Sequence, residues 1–247
     1  MQQVDDRNQA VQQILEAGRR LADRFFVAAN DGNISARLAD GSILITPTGV
    51  NKGDLSAEML LTVDGEGNVL SGTLHPTSEM KMHLAVYRCR PDIRAIVHAH
   101  PPTATGFATS RIRLDQDVIL PEVVFGLGRI GFSEYGTPTT QQVPEAVSRE
   151  IADCDALLLA NHGTLTVGDS VMQAYYRMET LEMYARIRLV TLQLGGPKPL
   201  SDPEVSELYQ IRQQRGWGSS PDLEIDPRSV ELISRIVLQV LQAQRSG

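Results

Sequence analysis

Two imidazoles close an apolar, β-branched run at Ala95-Ile-Val-His-Ala-His-Pro-Pro102. If that run is a strand, His98 and His100 point to the same face, because side chains along a strand alternate with a period of two. Zinc or a similar divalent ion needs neutral imidazoles converging from one side, and a strand supplies such a pair at fixed separation. Pro101 and Pro102 stop the strand and leave the pair at its exposed end. Taken alone, a His-x-His fits two partly buried histidines as well as two ligands. The chain has only five histidines, however, and His162 ends a second short apolar run, Ala156-Leu-Leu-Leu-Ala-Asn-His-Gly163. Three histidines where strands run out into Pro or Gly could form a site with one coordination position open, the catalytic and not the structural pattern.

Two polar turns could serve such a centre. Thr46-Pro-Thr-Gly-Val-Asn-Lys-Gly53 combines hydroxyls, a glycine and a lysine, which could offer N–H groups and a cation to an anion. His75-Pro-Thr-Ser-Glu79 leads into a helix over Met80–Cys89, whose start at Thr77 or Ser78 uses capping residue types. A helix start presents free N–H groups to an anion. An ordinary cap, with Glu79 set favourably against the helix dipole, accounts for the same residues. His83 lies one turn after Glu79 and reads as a packed or supporting histidine ahead of a ligand.

The elements that must carry these residues follow from periodicity. Residues 4–29 show amphipathic helical spacing, with Val11, Ile14, Leu15, Leu21, Phe25 and Phe26 apolar. A polar turn at 31–35 leads into a strand, and Ala39-Asp-Gly41 makes a hairpin into 42–46. Residues 60–70 read as a strand, a Gly-rich hairpin and a strand. A helix of small residues is expected over 103–110, an apolar strand carrying Glu122 over 118–127, a loop over 126–136 and a short helix over 141–152. Asp169 should cap a long helix from 170 to about 194, ended by Gly195-Gly-Pro197. A long polar connection containing Trp217 then runs over 197–221, and Asp226-Pro227 opens a last helix with Val230, Ile233 and Val237 on one face.

At 247 residues and 42% apolar content the chain can bury a large core, and no linker divides it. A net charge of −7 argues against nucleic acid or an acidic membrane as partner. Cys89 and Cys154 are too few for a disulfide framework and lack metal spacing, which favours a reducing compartment. No apolar run approaches the roughly 18 residues of a membrane span. A cytoplasmic protein is the expectation.

Gly32-Asn33-x-Ser35, Thr46-Pro-Thr-Gly49, Thr77-Ser-Glu79, His98-x-His100 and Asn161-His-Gly163, in that order, resemble the class II aldolase and adducin N-terminal family. The resemblance runs from about residue 8 to 200. It implies an α/β fold: a single three-layer α/β/α domain, here 1–247, around a mostly antiparallel sheet, with a divergent C-terminal segment from about 197. It implies a homotetramer with active sites at subunit interfaces. It also implies Zn2+, or Mn2+ or Co2+ in its place, on His98, His100 and His162. Glu79 maps to the acid/base position and to a further metal contact when no substrate is present. Asn33, Thr48, Gly49, Thr77 and Ser78 match the phosphate cradle.

The activity this implies is metal-dependent aldol cleavage of a ketose 1-phosphate to dihydroxyacetone phosphate and an aldehyde. A base next to a carbonyl-polarising ion is the equipment such chemistry needs. Glu79 stands where the epimerases of the family carry Asp, which counts towards the aldolases. Phe125 aligns with the tyrosine that aldolases of the fuculose type use as proton donor, and Tyr135, Glu122 or a residue of 197–221 could replace it. Dehydratase, decarboxylase or epimerase chemistry is the alternative among enzymes. A non-enzymatic, adducin-like module would be marked by loss of the metal histidines, which this chain keeps.

Overall fold

The computed structural model describes residues 2–217, and the helix expected from Asp226 lies outside them. One eight-stranded sheet runs through the chain in the order β4-β3-β2-β1-β5-β8-β7-β6. Its strands are β1 (Asn33–Arg37), β2 (Ile43–Ile45), β3 (Leu61–Val63), β4 (Val69–Ser71), β5 (Ala95–Ala99), β6 (Ile130–Ser133), β7 (Ala156–Leu159) and β8 (Gly163–Gly168). Six of the seven neighbouring pairs are antiparallel; only β6 and β7 run parallel, so the sheet is mixed.

Helices cover both faces, giving the three layers. On one face lie α1 (Gln2–Asp23), α3 (Pro102–Ser110), α4 (Pro121–Gly126) and α6 (Val171–Gln193), packed on Ile34, Ala36, Leu44, Val97 and Ala99 and, further along, on Phe132 and Leu158. On the other lie α2 (Met80–Cys89) and α5 (Gln142–Glu150), packed on Ile45, Val63, Ile96, Leu157, Leu165 and Val167. The alternation of β1 and β5 decides the site. Even-numbered Ile34 and Ala36 face α1, so Asn33 and Ser35 face α2; Ala95, Val97 and Ala99 face α1, so His98 shares the α2 side with Ile96. The register pairs Asn33 with His98 directly.

Five elements differ from the sequence expectation. The apolar run 118–127 contains helix α4 and no strand, because Pro121 at its first turn is preorganised for a helix. The expected loop 126–136 contains strand β6; its Gly131 is there for close approach, since a Cβ would lie 2.7 Å from Leu157 and 2.8 Å from Cys154. The polar connection after 197 holds α7 (Asp202–Gln214), started by a Ser201/Glu204 capping box. Its Arg212 is fully buried, donates to the Val124 carbonyl at 2.9 Å and reaches Asp155 at 3.3 Å, tying α7 to α4 and the sheet. Ser170, and not Asp169, caps α6 by accepting from Gln173 N. The first helix also stops earlier than expected, at Asp23, with Phe25 in the left-handed region at φ 57.

Candidate metal centre

Strand ends bring the three histidines together. His98 is the fourth residue of β5, His100 follows its last, and His162 precedes β8, the strand paired to β5. Ring centroids lie 4.8–5.3 Å apart, and one nitrogen from each ring falls within 4.8 Å of the others. Two glycines allow this convergence. A Cβ at Gly163 would come within 2.4 Å of the His100 ring, and one at Gly32, whose φ is +72, within 2.8 Å of the His98 carbonyl. Here the Asn-His-Gly and Gly-Asn-x-Ser motifs have a steric reason.

Glu79 closes the cluster. Its carboxylate lies 3.1 Å from His98 Nε2 through Oε2 and 3.2 Å from His162 Nε2 through Oε1. Glu79 is the residue before α2, at its N-cap position, and its side chain makes no cap bond, so the helix start falls later than the Thr77 or Ser78 expected. Burial alone would raise the Glu79 carboxyl, but His98 and His162 outweigh it and hold the group far below the usual carboxylate range. It is an anion. Its buried Oε1 has no hydrogen-bond donor.

The donor set fits a divalent cation. His98 Nδ1 lies 2.8 Å from the Thr164 carbonyl, so the Nδ1–H donates there and Nε2 carries the lone pair. That nitrogen faces His100 Nε2 at 3.2 Å, while His100 Nδ1 turns to Asp31 at 3.5 Å. Imidazoles whose outer nitrogens are anchored to oxygens and whose inner nitrogens converge are the arrangement of metal-ligating histidines. Two lone pairs and a carboxylate in contact demand positive charge between them. Without a metal a proton answers that demand in part: burial disfavours it, but Glu79 and the Thr164 carbonyl raise His98 above its ordinary value. His100 is pushed down to about 4 by burial and by its neighbours His98 and His162.

Directly after the His pair, the first N–H groups of α3, those of Thr103 and Ala104, donate to the buried carboxylate of Glu182 at 3.0 and 2.8 Å.

The cradle residues sit on two loops held side by side. Thr48 N donates to the His75 carbonyl at 3.0 Å and Thr77 N to the Thr46 carbonyl at 3.1 Å. Thr48, Gly49 and Ser78 are exposed there, Gly49 with φ +74. Thr77 is buried and accepts from Glu79 N at 3.3 Å. Asn33 is different: its amide is buried and engaged at both ends, donating to Glu79 Oε2 at 2.8 Å and accepting from His83. Lys52 does not face outward to an anion either. Its buried Nζ donates to the carbonyls of Asn30 and Val50, so it ties these loops from inside, and burial pushes it down to about 8.

The residues weighed as proton donors lie elsewhere. The Phe125 ring packs edge-on against Trp217, in a cleft lined by Arg90, Asp155 and Arg177. Glu122 is exposed and lines a groove of about 840 Å³ with Phe25, Phe26, Glu182 and Met183; Tyr135 is half exposed after β6. Sequence reading underrated His83 and passed over Tyr87 and Thr164. The usable signals were the four-residue spacing of Glu79, His83 and Tyr87 on one helix face and the period-two spacing of Asn33 and Ser35.

A model of the Class II Aldolase and Adducin N-terminal domain matches residues 12–189. An L-fuculose phosphate aldolase of Methanocaldococcus jannaschii is 34% identical over 180 residues, covering 73% of this chain and 96% of that one. A 3-oxo-tetronate 4-phosphate decarboxylase of Haemophilus influenzae is 34% identical over 199 residues, covering 79% and 93%. Among solved structures, YgbL of Klebsiella pneumoniae, for which aldolase, epimerase and decarboxylase activities are all named as candidates, superposes with a TM-score of 0.76 at 32% identity, covering 82% and 98%.

Proposed function

Because the chain belongs to the class II aldolase and adducin N-terminal family, whose similar members include lyases, we propose that it is a metal-dependent lyase acting through the enediolate of dihydroxyacetone phosphate, and in the first place an aldolase of ketose 1-phosphates. The observation that carries this is the Glu79 carboxylate, ionised, largely buried and within 3.2 Å of two of three converging histidines. His98, His100 and His162 would hold Zn2+, or Mn2+ or Co2+, with Glu79 as a further contact while no substrate is bound. When bound there, such an ion would supply a Lewis acid for the substrate carbonyl.

The protein's own groups do the rest. Glu79 takes a proton from the hydroxymethyl carbon of dihydroxyacetone phosphate in the condensation direction and returns it there after cleavage, while the hydroxyl oxygen of the aldehyde fragment gains or loses its proton to water. Thr48, Gly49, Thr77 and Ser78 receive the phosphate on two loops locked together by backbone hydrogen bonds, so the phosphate end is fixed and the reacting carbon is presented to Glu79. Asn33 keeps Glu79 in place and is assigned to the carboxylate ahead of the phosphate.

Decarboxylation is the second reading, favoured by the Haemophilus influenzae relative and by Phe125 in place of a tyrosine. Loss of carbon dioxide from a 3-oxo-tetronate 4-phosphate leaves the electron pair on the carbon beside the ketone. That is again the enediolate of dihydroxyacetone phosphate, and the proton that completes it is drawn from water and handed on by Glu79, which ends ionised as it began. The two reactions share every residue named above and differ only in the leaving fragment. We also carry a homotetramer with sites at subunit contacts as part of the proposal. It is supported by apolar side chains left exposed around one groove, with Phe25 80% exposed and Met183 57%.

Incubating the metal-loaded protein with dihydroxyacetone phosphate in deuterated water tests the shared step. Exchange of one hydrogen on the hydroxymethyl carbon is expected, and its absence refutes the proposal. A panel of ketose 1-phosphates scored for aldehyde, beside 3-oxo-tetronate 4-phosphate scored for carbon dioxide, then separates the readings.

A further inference from the structure

Three polar side chains are buried between β1 and α2 where an apolar core would pack as well: Ser35, His83 and Tyr87. They form one continuous file. Tyr87 Oη lies 2.9 Å from Ser35 Oγ, Ser35 Oγ 2.6 Å from His83 Nδ1, His83 Nε2 2.5 Å from Asn33 Oδ1, and Asn33 Nδ2 2.8 Å from Glu79 Oε2.

Every proton in that file has one possible place. An ionised Glu79 only accepts, so Asn33 turns its Nδ2 to it and its Oδ1 to His83. His83 must then donate from Nε2. The ring is fully buried with Asn33 on Nε2 and Ser35 on Nδ1 and no acid among its hydrogen-bond partners, so the neutral imidazole keeps its one N–H at Nε2 and its Nδ1 only accepts. Ser35 therefore donates to His83 and takes its own hydrogen bond from the Tyr87 hydroxyl. We infer that Tyr87, Ser35 and His83 are positioning residues, a one-way hydrogen-bond chain that acts through Asn33 to hold the Glu79 carboxylate at its working angle. The inference rests on the proposed role of Glu79 in proton transfer.

The controlling point is the Asn33 amide. Its two ends are nearly equal in shape, and two neighbours tell them apart: the Glu79 carboxylate, which takes the Nδ2–H, and the His83 Nε2–H, which takes Oδ1. Remove that donor and Oδ1 is left buried without a partner, so the amide is no longer pinned on its His83 side and the carboxylate it holds leaves its position. A fully satisfied buried network specifies geometry more than it adds stability, and a displacement of about 1 Å at a reacting group costs on the order of 10²-fold in rate.

The test compares His83→Phe, which fills the space without a donor, with His83→Gln, whose amide N–H can occupy the Nε2 position. Both are assayed in the metal-loaded full chain by exchange of dihydroxyacetone phosphate in deuterated water. His83→Phe should lower the maximal exchange rate about 10- to 100-fold, with half-saturating substrate and metal per chain within about twofold of the parent, while His83→Gln stays within about threefold. Wild-type exchange in His83→Phe, or a loss that His83→Gln shares in full, overturns the inference. Should His83→Phe fail to fold, Ser35→Ala, which leaves the ring in place and removes the donor to Nδ1, is read by the same criteria. Histidine ¹⁵N shifts of the parent protein give a readout independent of activity. A neutral, Nε2-protonated His83 supports the chain, and an Nδ1–H tautomer or an imidazolium overturns it. If the parent itself does not exchange, the proposed function fails, and the ¹⁵N result alone decides the fate of the hydrogen-bond chain.

Discussion

Replacing Gly163 by alanine isolates the geometry of the histidine cluster from its chemistry, because no ligand is touched. The new Cβ would sit 2.4 Å from Cδ2 of His100 and 2.7 Å from the Ala99 carbonyl oxygen. The carbonyl belongs to β5, which β8 holds in register through Ala99 and Thr164, so the backbone contact strains the β5–β8 pairing locally while the ring is pushed aside. Reaching ordinary contact at 3.4 Å takes the ring about 1 Å from its place. Metal sites tolerate ligand displacements of about 0.2 Å, so His100 is lost as a ligand. A 1 Å displacement at a reacting site corresponds to about 10²-fold in rate, or roughly 2.7 kcal/mol. We expect metal per chain after desalting to fall well below one and the exchange rate to fall about 10²-fold, while the circular dichroism spectrum is kept. Gly49→Ala is the control, since nothing lies within 4 Å of its Cβ but its φ is +74. It should cost about 1 kcal/mol of backbone strain and leave the metal in place. Full metal occupancy and parental exchange in Gly163→Ala would refute the steric reasoning.

Three further outcomes are expected. Elemental analysis should give about one divalent ion per chain, and the double substitution of His98 and His162 by alanine should remove it with the fold intact; retention of metal there would count against the centre. Glu79→Gln should depress turnover by about 10²- to 10⁴-fold, the worth of a positioned base, with the Michaelis constant little changed, whereas Ser78→Ala should mainly raise the Michaelis constant. In the metal-free protein, His83 is near 3 when folded and near 6.5 when unfolded, so unfolding takes up a proton between those values. Its stabilising share is complete above about 6.5 and is lost as pH falls towards 3. Thermal melts should therefore decline over that window less steeply in His83→Gln than in the parent; equal slopes would refute the assignment.

Much of the centre was legible because its residues obey short-range rules. His98 and His100 share a face by strand alternation alone, and the stop signals after them and around His162 marked both strand ends. The layered fold was likewise readable from family-specific motifs. What escaped depended on contacts distant in sequence. The run 118–127 has no period to separate a short buried strand from a helix, and Pro121 was the one local cue. Gly131 looked like a loop glycine, yet its purpose is the Leu157 and Cys154 side chains packed over β6. Ser201-Asp-Pro-Glu204 did announce α7 through a capping box that polar composition masked. Asn33 was grouped with the phosphate cradle by motif; that both ends of its amide are engaged emerges only once β1 and α2 are packed together.

Glu182 bears on the electric field at the histidines. A helix that begins two residues after His100 brings to the site the equivalent of about half a positive charge from its unsatisfied N–H groups. Left bare, that pole would repel a cation placed among the imidazoles. Glu182 takes the Thr103 and Ala104 N–H groups and sets a full negative charge, itself only 2% exposed, over the pole. Its other partner, Arg186, is more than half exposed, so water screens that cation. The sign of the wall behind His100 is thereby reversed, and α3 can start beside the cluster without driving a cation out of it.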